Sequence, residues 1–303
     1  MAAASRDELA SIRADRTSGA SELARRCLPI LQVALGAGTV RDIAVELCKA
    51  QPSMAPIWNA AVQAVLSAGE PGRCERFSQQ VRRAPASLAR FAAEAIAPGG
   101  WTEPLRLVTI SHSGTVRTVL DTLQARGRLR VACSEGRPGL EGRSLASRLA
   151  ALGVPVDFYA DAALAQALDG ADAVLVGSDA VGPAAFLNKS GTCMLAAAAA
   201  ARGVPVYVAA ARHAFVMPAL WPHLTARDEP PGEIWSDPPA GVSVRNRYFE
   251  PTPLTLVTSV ITDAGSLGGD VVPQVCERLA DERAGAALDE LIALALSTRP
   301  RPS

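Results

Sequence analysis

The sequence predicts an α/β protein in which an N-terminal helical domain, residues 1–100, precedes a doubly wound parallel sheet, residues 104–296. Two observations lead to this fold class. Apolar side chains recur at helical spacing through the first hundred residues, with no convincing strand before Leu105. From Leu105 onwards, short β-branched runs without polar alternation take turns with helical patterns, which is typical of a parallel sheet covered on both faces. Residues 297–303 are predicted to be a disordered tail.

The N-terminal domain contains four segments with a helical period. The first carries apolar residues at helical spacing, and the others repeat that period; in the first they are Leu23, Cys27, Ile30 or Leu31, and Val33 or Leu35. The stretches GEPGR and APGGWTEP interrupt the pattern, because glycine and proline break helices. The four segments read SELARRCLPILQVAL, TVRDIAVELCKA, APIWNAAVQAVLSA and SLARFAAEAIA.

The second domain contains five apolar runs that predict strands. The first four are followed by helical patterns, so consecutive strands are expected to run parallel. The strand runs are LRLVTI, LRVAC, PVDFYA, AVLVGS and VPVYVAA, and the helical patterns are GTVRTVLDTLQARG, EGRSLASRLAALG, DAALAQALDG and GTCMLAAAAAARG.

The composition argues against several classes of protein. The 303 residues carry 30 acidic and 30 basic side chains with only 4% aromatics, which argues against a partner nucleic acid or an anionic membrane. The N-terminus lacks an apolar signal region, and the longest apolar run, residues 194–201, is too short to cross a bilayer. Six scattered cysteines favour reduced thiols and a cytoplasmic location. Arginine and alanine in excess, with lysine only at Lys49 and Lys189, favour a bacterial source.

Polar residues cluster in the turns that follow the predicted strands, where open parallel sheets bind ligands. These turns are 111–115, 134–143, Asp161, 178–192 and 212–213. Serine and threonine before a helix also serve as ordinary caps, and isolated arginines are usually solvated. Several helix N-termini beside Arg137, Arg143 and Lys189 would nevertheless form an anion site, and phosphate is the obvious anion.

Other site chemistries have little support in the sequence. It contains neither a GxxxxGK[ST] loop nor a GxGxxG turn after a strand, so ATP hydrolysis and dinucleotide oxidoreduction are not favoured and no cofactor is expected. Three histidines with no HxxxH pair predict no metal site. Lys189 is one of only two lysines in an arginine-rich chain, which favours a specific role for its compact ammonium group over chance retention.

The turns, in this order, resemble the family that unites methylthioribose-1-phosphate isomerase, ribose-1,5-bisphosphate isomerase and the alpha, beta and delta subunits of eukaryotic translation initiation factor 2B. The motifs that carry the resemblance are Glu135-Gly136-Arg137-Pro138 with Glu141-Gly142-Arg143, Gly177-Ser178-Asp179 with Asn188-Lys189-Ser190-Gly191-Thr192, and Asn246 to Glu250 with Thr252-Pro253. The N-terminal DRTSGASELA is similar to the family's early helix opening. The resemblance implies a Rossmann-like second domain and assembly into a homodimer or larger homo-oligomer.

The resemblance also implies roles for individual residues. Asp179 stands at the position of the family's catalytic acid, which needs a raised pKa to donate a proton at neutral pH. The family's catalytic cysteine falls on Ser111, a much weaker acid than a thiol, and His112 beside it is a candidate base. Cys133 is a further candidate, although a buried apolar role is the simpler interpretation. The residues implied to bind substrate or phosphate are Glu135, Arg137, Gly142, Arg143, Asn188 and Lys189.

Three functions remain open from the sequence. The first is an isomerase that converts an aldose 1-phosphate into a ketose phosphate by acid/base proton transfer, with Asp179, Ser111 and His112 as its catalytic residues. The second is a non-catalytic regulator that binds a sugar phosphate or a nucleoside monophosphate, since the initiation-factor subunits also lack the cysteine. The third is a scaffold, which explains neither Lys189 nor the two arginines and therefore ranks last.

Overall fold

The computed structural model describes residues 3–15, 18–224, 228–279 and 282–296. The predicted tail, residues 297–303, lies outside this part of the chain. Five helices come first, and their buried faces hold Leu23, Leu31, Leu47 and Trp58. The apolar spacing of each segment forms one stripe that packs against its neighbours. These helices are α1 (Ala3–Ala14), α2 (Ala20–Gly36), α3 (Val40–Ala50), α4 (Ala55–Leu66) and α5 (Arg73–Ile96).

The long helix α5 belongs to two hydrophobic cores. Its first half contributes Cys74 and Val81 to the helical core, and its second half contributes Leu88 and Ala92 to the core on one face of the sheet. The C-terminal helix α10 (Glu282–Leu296) packs against α3 and α4. The last helix of the chain therefore completes the N-terminal helical core. The limits of the two predicted domains stay a prediction.

The seven-stranded sheet has the order β10-β9-β7-β4-β1-β2-β3, with every neighbouring pair parallel except β9 and β10. Alternate residues of one strand enter opposite cores, as Leu107 and Val108 do in β1. The predicted α/β class with a doubly wound parallel sheet is confirmed. Its strands are β1 (Leu105–Thr109), β2 (Leu129–Ser134), β3 (Val156–Tyr159), β4 (Ala173–Gly177), β7 (Val206–Ala209), β9 (Ser259–Thr262) and β10 (Gly265–Leu267).

Helices cover both faces of this sheet. The segment between β3 and β4, Asp161–Leu168, forms a 3-10 helix where the sequence pattern predicted an ordinary helix. The last two strands were not predicted, because each is short and a long irregular segment separates them from β7. The covering helices are α6 (Gly114–Gln124), α7 (Gly142–Ala151), α8 (Thr192–Ala201) and α9 (Val272–Glu277).

The polar turn at residues 178–192 folds into part of a second, three-stranded sheet. Its strands are β5 (Ala180–Val181), β6 (Ala185–Lys189) and β8 (Phe249–Pro253), in the order β5-β6-β8 with both pairs antiparallel. The buried side chains of Val181 and Phe186 hold this hairpin against the main sheet. The pairing of β6 with β8 places Asn188 opposite Glu250, so two motifs far apart in the sequence become neighbours.

Candidate functional site

A cavity of about 110 Å³ lies beyond the carboxyl ends of β1 and β4, where the first turn of α2 and the middle of α5 close over it. This is the position at which open parallel sheets bind ligands. Of the predicted site residues, Ser111, His112, Asp179, Asn188 and Lys189 line this cavity. The turns after β1 and β4 therefore meet in one place.

Asp179 lies two residues after the end of β4, and hydrogen bonds of its backbone hold it in place. Its N–H donates to the Leu187 carbonyl at 2.8 Å, and its carbonyl accepts from the Ala55 N–H at 3.0 Å. Burial raises the pKa of the Asp179 carboxyl to about 7, although the Ala20 N–H and the charge of Lys189 both favour the ionised form. A carboxyl with this pKa can donate or accept a proton near neutral pH.

Lys189, at the end of β6, is buried and faces a carboxylate. Its Nζ donates to the two carboxylate oxygens of Glu141 at 3.0 and 3.2 Å and lies 4.9 Å from the centre of the Tyr248 ring. Asn188 donates from Nδ2 to the Thr192 Oγ1 at 3.0 Å, and both side chains are buried. The Lys189 ammonium thus already has an anionic partner within the chain.

Only some of the helix N-termini near the cavity are free to bind an anion. At the start of α8, one oxygen of Glu250 accepts from the N–H groups of Gly191 and Cys193 at 2.8 and 2.9 Å, so a carboxylate of the protein occupies this end. The start of α6 lines the cavity through Gly114 and Thr115, next to its cap Ser113.

Ser111 and His112 follow β1 and occupy one wall of the cavity. Ser111 is buried and adopts a φ of +60°, a left-handed conformation that is uncommon for residues other than glycine and is found at functional sites. Burial lowers the pKa of His112 below its usual value, and the nearby positive charge of Arg117 lowers it further. The His112 imidazole is therefore predominantly neutral at pH 7 and able to accept a proton.

Cys133, the further candidate, lies in the sheet core at the end of β2 and is fully buried. Burial raises the pKa of its thiol to about 11, so that the thiol stays protonated at neutral pH. Cys133 is not among the described residues that line the cavity. Its position matches the apolar interpretation.

The turn after β2 directs its two arginines away from the cavity. Arg137 and Arg143 are exposed, and neither they nor Glu135 are among the described residues lining the cavity. Gly142 is buried, and a Cβ there would lie 1.8 Å from the Ser134 carbonyl oxygen, so this glycine allows α7 to begin directly on β2. Roles in substrate binding for these four residues stay predictions.

The cavity contains basic groups that the sequence did not single out. Arg25 of α2 and Arg117 of α6 both line it, and neither makes an ion pair with any residue that the structure describes. The buried Nε of Arg117 lacks a hydrogen-bond partner among the described residues. Nothing in the sequence distinguishes these arginines from solvated ones on an exposed helix face.

His213 also lines the cavity, at the turn after β7. Its Nε2 lies 2.9 Å from the Ser21 hydroxyl, and burial lowers the pKa of the imidazole to about 4. This contact and the Ala20 N–H hold the first turn of α2 against the turns of the sheet. The sequence marked this turn as polar without assigning His213 a role.

The described part of the chain contains neither a metal-binding cluster nor a membrane-spanning helix. Among residues 3–15, 18–224, 228–279 and 282–296, no group of three or more metal-binding side chains could hold a metal ion. No helix in the described part of the chain is both long and apolar enough to span a bilayer.

Comparison with known proteins identifies relatives along most of the chain. The sequence model of the initiation factor 2 subunit family matches residues 9–268. The chain is 27% identical over 277 residues to a ribose 1,5-bisphosphate isomerase of Archaeoglobus fulgidus, covering 86% of this chain and 85% of that protein. It is 29% identical over 259 residues to a methylthioribose-1-phosphate isomerase of Desulforudis audaxviator, covering 75% and 73%.

The fold is similar to that of a solved relative. The crystal structure of translation initiation factor eIF-2B from Pyrococcus horikoshii superposes with a TM-score of 0.75 at 25% identity, covering 88% of this chain and 98% of that chain. The similarity therefore includes both the helical part and the sheet.

Proposed function

Because the chain belongs to the initiation factor 2 subunit family, we propose that it is a sugar-phosphate isomerase-like protein that converts an aldose 1-phosphate into a ketose phosphate. The observation that carries this proposal is the Asp179 carboxyl, with a pKa of about 7, in one cavity with His112. The names of two relatives, a ribose 1,5-bisphosphate isomerase and a methylthioribose-1-phosphate isomerase, support the same reaction class.

The reaction requires an acid and a base on one sugar. Phosphate on the anomeric oxygen prevents spontaneous ring opening, so Asp179 protonates the ring oxygen as its bond to C1 breaks. His112 removes the proton from C2, and the electron pair forms the C1–C2 double bond of an enol. Loss of the C2 hydroxyl proton and addition of a proton to C1 then give the ketose, with no net change in atoms. With a pKa of about 7, Asp179 can donate a proton at neutral pH, and His112, whose pKa is lowered by burial, is present there as the neutral base.

The phosphate group is proposed to lie against Arg25, Arg117 and the start of α6. Guanidinium groups and the N–H groups of a helix start bind phosphate oxygens well. Both arginines line the cavity without an ion pair to any described residue, whereas Lys189 is already paired with Glu141. This placement differs from the prediction from sequence, which assigned the phosphate to Arg137, Arg143 and Lys189.

The direct test is incubation of the purified protein with ribose 1,5-bisphosphate and with methylthioribose 1-phosphate, with NMR detection of the ketose. Asp179→Asn is expected to reduce turnover by about 10²- to 10⁴-fold while sugar-phosphate binding is largely retained. Asp237→Asn is the matched control, because this exposed aspartate lies outside the cavity. Equal turnover by the two variants would contradict the assignment of Asp179.

A non-catalytic regulator that binds a sugar phosphate or a nucleoside monophosphate is the second candidate. The observation that favours it is Ser111, which stands where the resemblance places the catalytic cysteine and has no strong base within hydrogen-bond distance among the described residues. Under this alternative, phosphorylated ligands raise the melting temperature but NMR detects no product. Turnover of any sugar phosphate would exclude it.

The assembly and location of the protein are also proposals. A homodimer or larger homo-oligomer follows from the family resemblance, and light scattering of the purified protein tests it. A cytoplasmic location is supported by the six cysteines, all unpaired in the structure. A bacterial source stays a prediction from composition.

A further inference from the structure

Three carboxylates of the described residues line the cavity: Glu22 on α2, Asp179 after β4, and Glu141 at the start of α7. Glu141 pairs with Lys189 at 3.0 and 3.2 Å, and their side chains are only 13% and 7% exposed. An ammonium and a carboxylate held this closely present no net charge to a ligand. The wall that contains the cavity's lysine is therefore not a cationic wall.

The surrounding turn is built around the Glu141 carboxylate. A Cβ on Gly139 would lie 2.5 Å from Oε1, and a Cβ on Gly136 would lie 3.0 Å from Oε2 and 3.0 Å from the Ser111 hydroxyl. Two glycines thus leave the space that the carboxylate occupies. The Asp161 carboxylate accepts from the N–H groups of Gly136 and Arg137 at 2.9 and 2.7 Å, which holds the turn in place. Glu141 has little freedom to swing away from Lys189.

The chemistry of this wall matches a hydroxyl group and not a phosphate. Carboxylate oxygens accept hydrogen bonds, and sugar hydroxyls supply donors, whereas a phosphate dianion supplies none. A phosphate placed here would also bring a like charge against a fixed, buried carboxylate. The part of the lining formed by Arg25 and Arg117 contains one carboxylate, Glu22, which forms no ion pair with either arginine, so this part keeps a net positive charge.

We infer that Glu141 is a specificity-determining residue. Together with Lys189 it forms a part of the cavity wall that binds hydroxyl groups, so the end of the ligand that lies there carries no phosphate. This inference rests on the proposed function and narrows its substrate class to an aldose 1-phosphate with no second phosphate at that end. Lys189 then donates to a sugar oxygen while Glu141 accepts from a neighbouring hydroxyl.

The test compares the affinities of ribose 1-phosphate and ribose 1,5-bisphosphate by calorimetry at constant ionic strength. The Asp179→Asn background keeps the ligands from being converted. In this background the monophosphate is expected to bind at least as tightly as the bisphosphate. Adding Glu141→Gln, which removes the negative charge and retains the shape, is expected to shift the affinity ratio about tenfold towards the bisphosphate. Glu103→Gln, an exposed loop position outside the cavity, is the matched control and leaves the ratio unchanged.

The outcomes distinguish failure of this inference from failure of the proposed function. An unchanged ratio in the Glu141→Gln protein overturns the inference while sugar-phosphate binding persists. Should that variant fail to fold, tenfold tighter binding of the bisphosphate with Glu141 intact overturns it equally. If neither ligand binds to any of the proteins, the proposed function fails and the inference fails with it.

Discussion

Two charged turns of the same sheet place their side chains in opposite ways. The turn after β2, residues 134–143, directs Arg137 and Arg143 into solvent and only Glu141 into the cavity. The hairpin after β4, residues 178–192, directs Asp179, Asn188 and Lys189 inwards. The difference arises because β8 and the helical core enclose the hairpin, whereas the outer edge of the first turn meets water. Whether a charged residue at these strand ends lines the cavity therefore depends on the packing around its side chain.

The largest effect is expected from removing the cation of the enclosed hairpin. Lys189→Met leaves the Glu141 carboxylate nearly buried and unpaired, which is expected to destabilise the protein by about 3–5 kcal/mol in urea unfolding. The double variant with Glu141→Leu removes both charges and is expected to recover most of that stability. If the double variant is as unstable as the single one, the buried charge is not the cause.

The second effect is a dependence of stability on pH that arises from Asp179. Its folded pKa of about 7 is raised above its ordinary value of 3.8, so the folded state holds this proton more tightly and the stabilisation is lost as pH rises from about 4 to 7. As the pH rises from 4.5 to 8, the free energy of unfolding of Asp179→Asn should therefore increase relative to that of the wild type, by up to about 4 kcal/mol.

Urea unfolding of the wild type and of Asp179→Asn at pH 4.5 and pH 8 measures this dependence of stability on the Asp179 carboxyl. His213 has a lowered pKa and gives the opposite trend, with stability lost as pH falls from about 6.5 to 4. Because both proteins contain His213, its contribution cancels in the difference. A difference that is independent of pH would mean that the Asp179 carboxyl titrates normally.

The third effect concerns packing at the buried Gly142, where the turn after β2 leads into α7. Gly142→Ala adds a Cβ that would lie 1.8 Å from a backbone oxygen, so α7 must shift away from β2. Overpacking of this kind is expected to cost about 1–3 kcal/mol in thermal or urea unfolding. Gly153→Ala is no suitable control, since Gly153 has a φ of +75°; Gly36, with open space around it, is the better one.

The smallest effect is expected at the two exposed arginines. Arg137→Ala and Arg143→Ala should each change stability by less than about 0.5 kcal/mol, because neither side chain makes an ion pair with a described residue. Sugar-phosphate affinity, measured by calorimetry, should also stay within about twofold of the wild type, in contrast to Arg117→Ala. A large loss of affinity at either position would mean that the phosphate binds to the turn after β2.

Some residues of the site could be predicted from the sequence and others could not, for physical reasons. Asp179, Asn188 and Lys189 lie in one short motif, and the rule that ligands bind at the carboxyl ends of parallel strands places them correctly. Arg25 and Arg117 were missed because an arginine on a helix face has the same local sequence whether it faces solvent or a cavity. The hairpin of β5 and β6 was predicted as a turn because its pairing with β8 joins residues about 60 positions apart.

The helical N-terminal region, the five predicted parallel strands and the edge of the sheet at which ligands bind follow from the chain's local pattern, because periodicity and turn residues act between near neighbours. Which charged groups share a cavity is decided by tertiary structure. The Glu141–Lys189 pair, the Ala20 N–H on Asp179 and the outward course of Arg137 and Arg143 each depend on packing between distant segments. Burial and neighbouring charge set the pKa of Asp179, and no stretch of sequence specifies either of them alone.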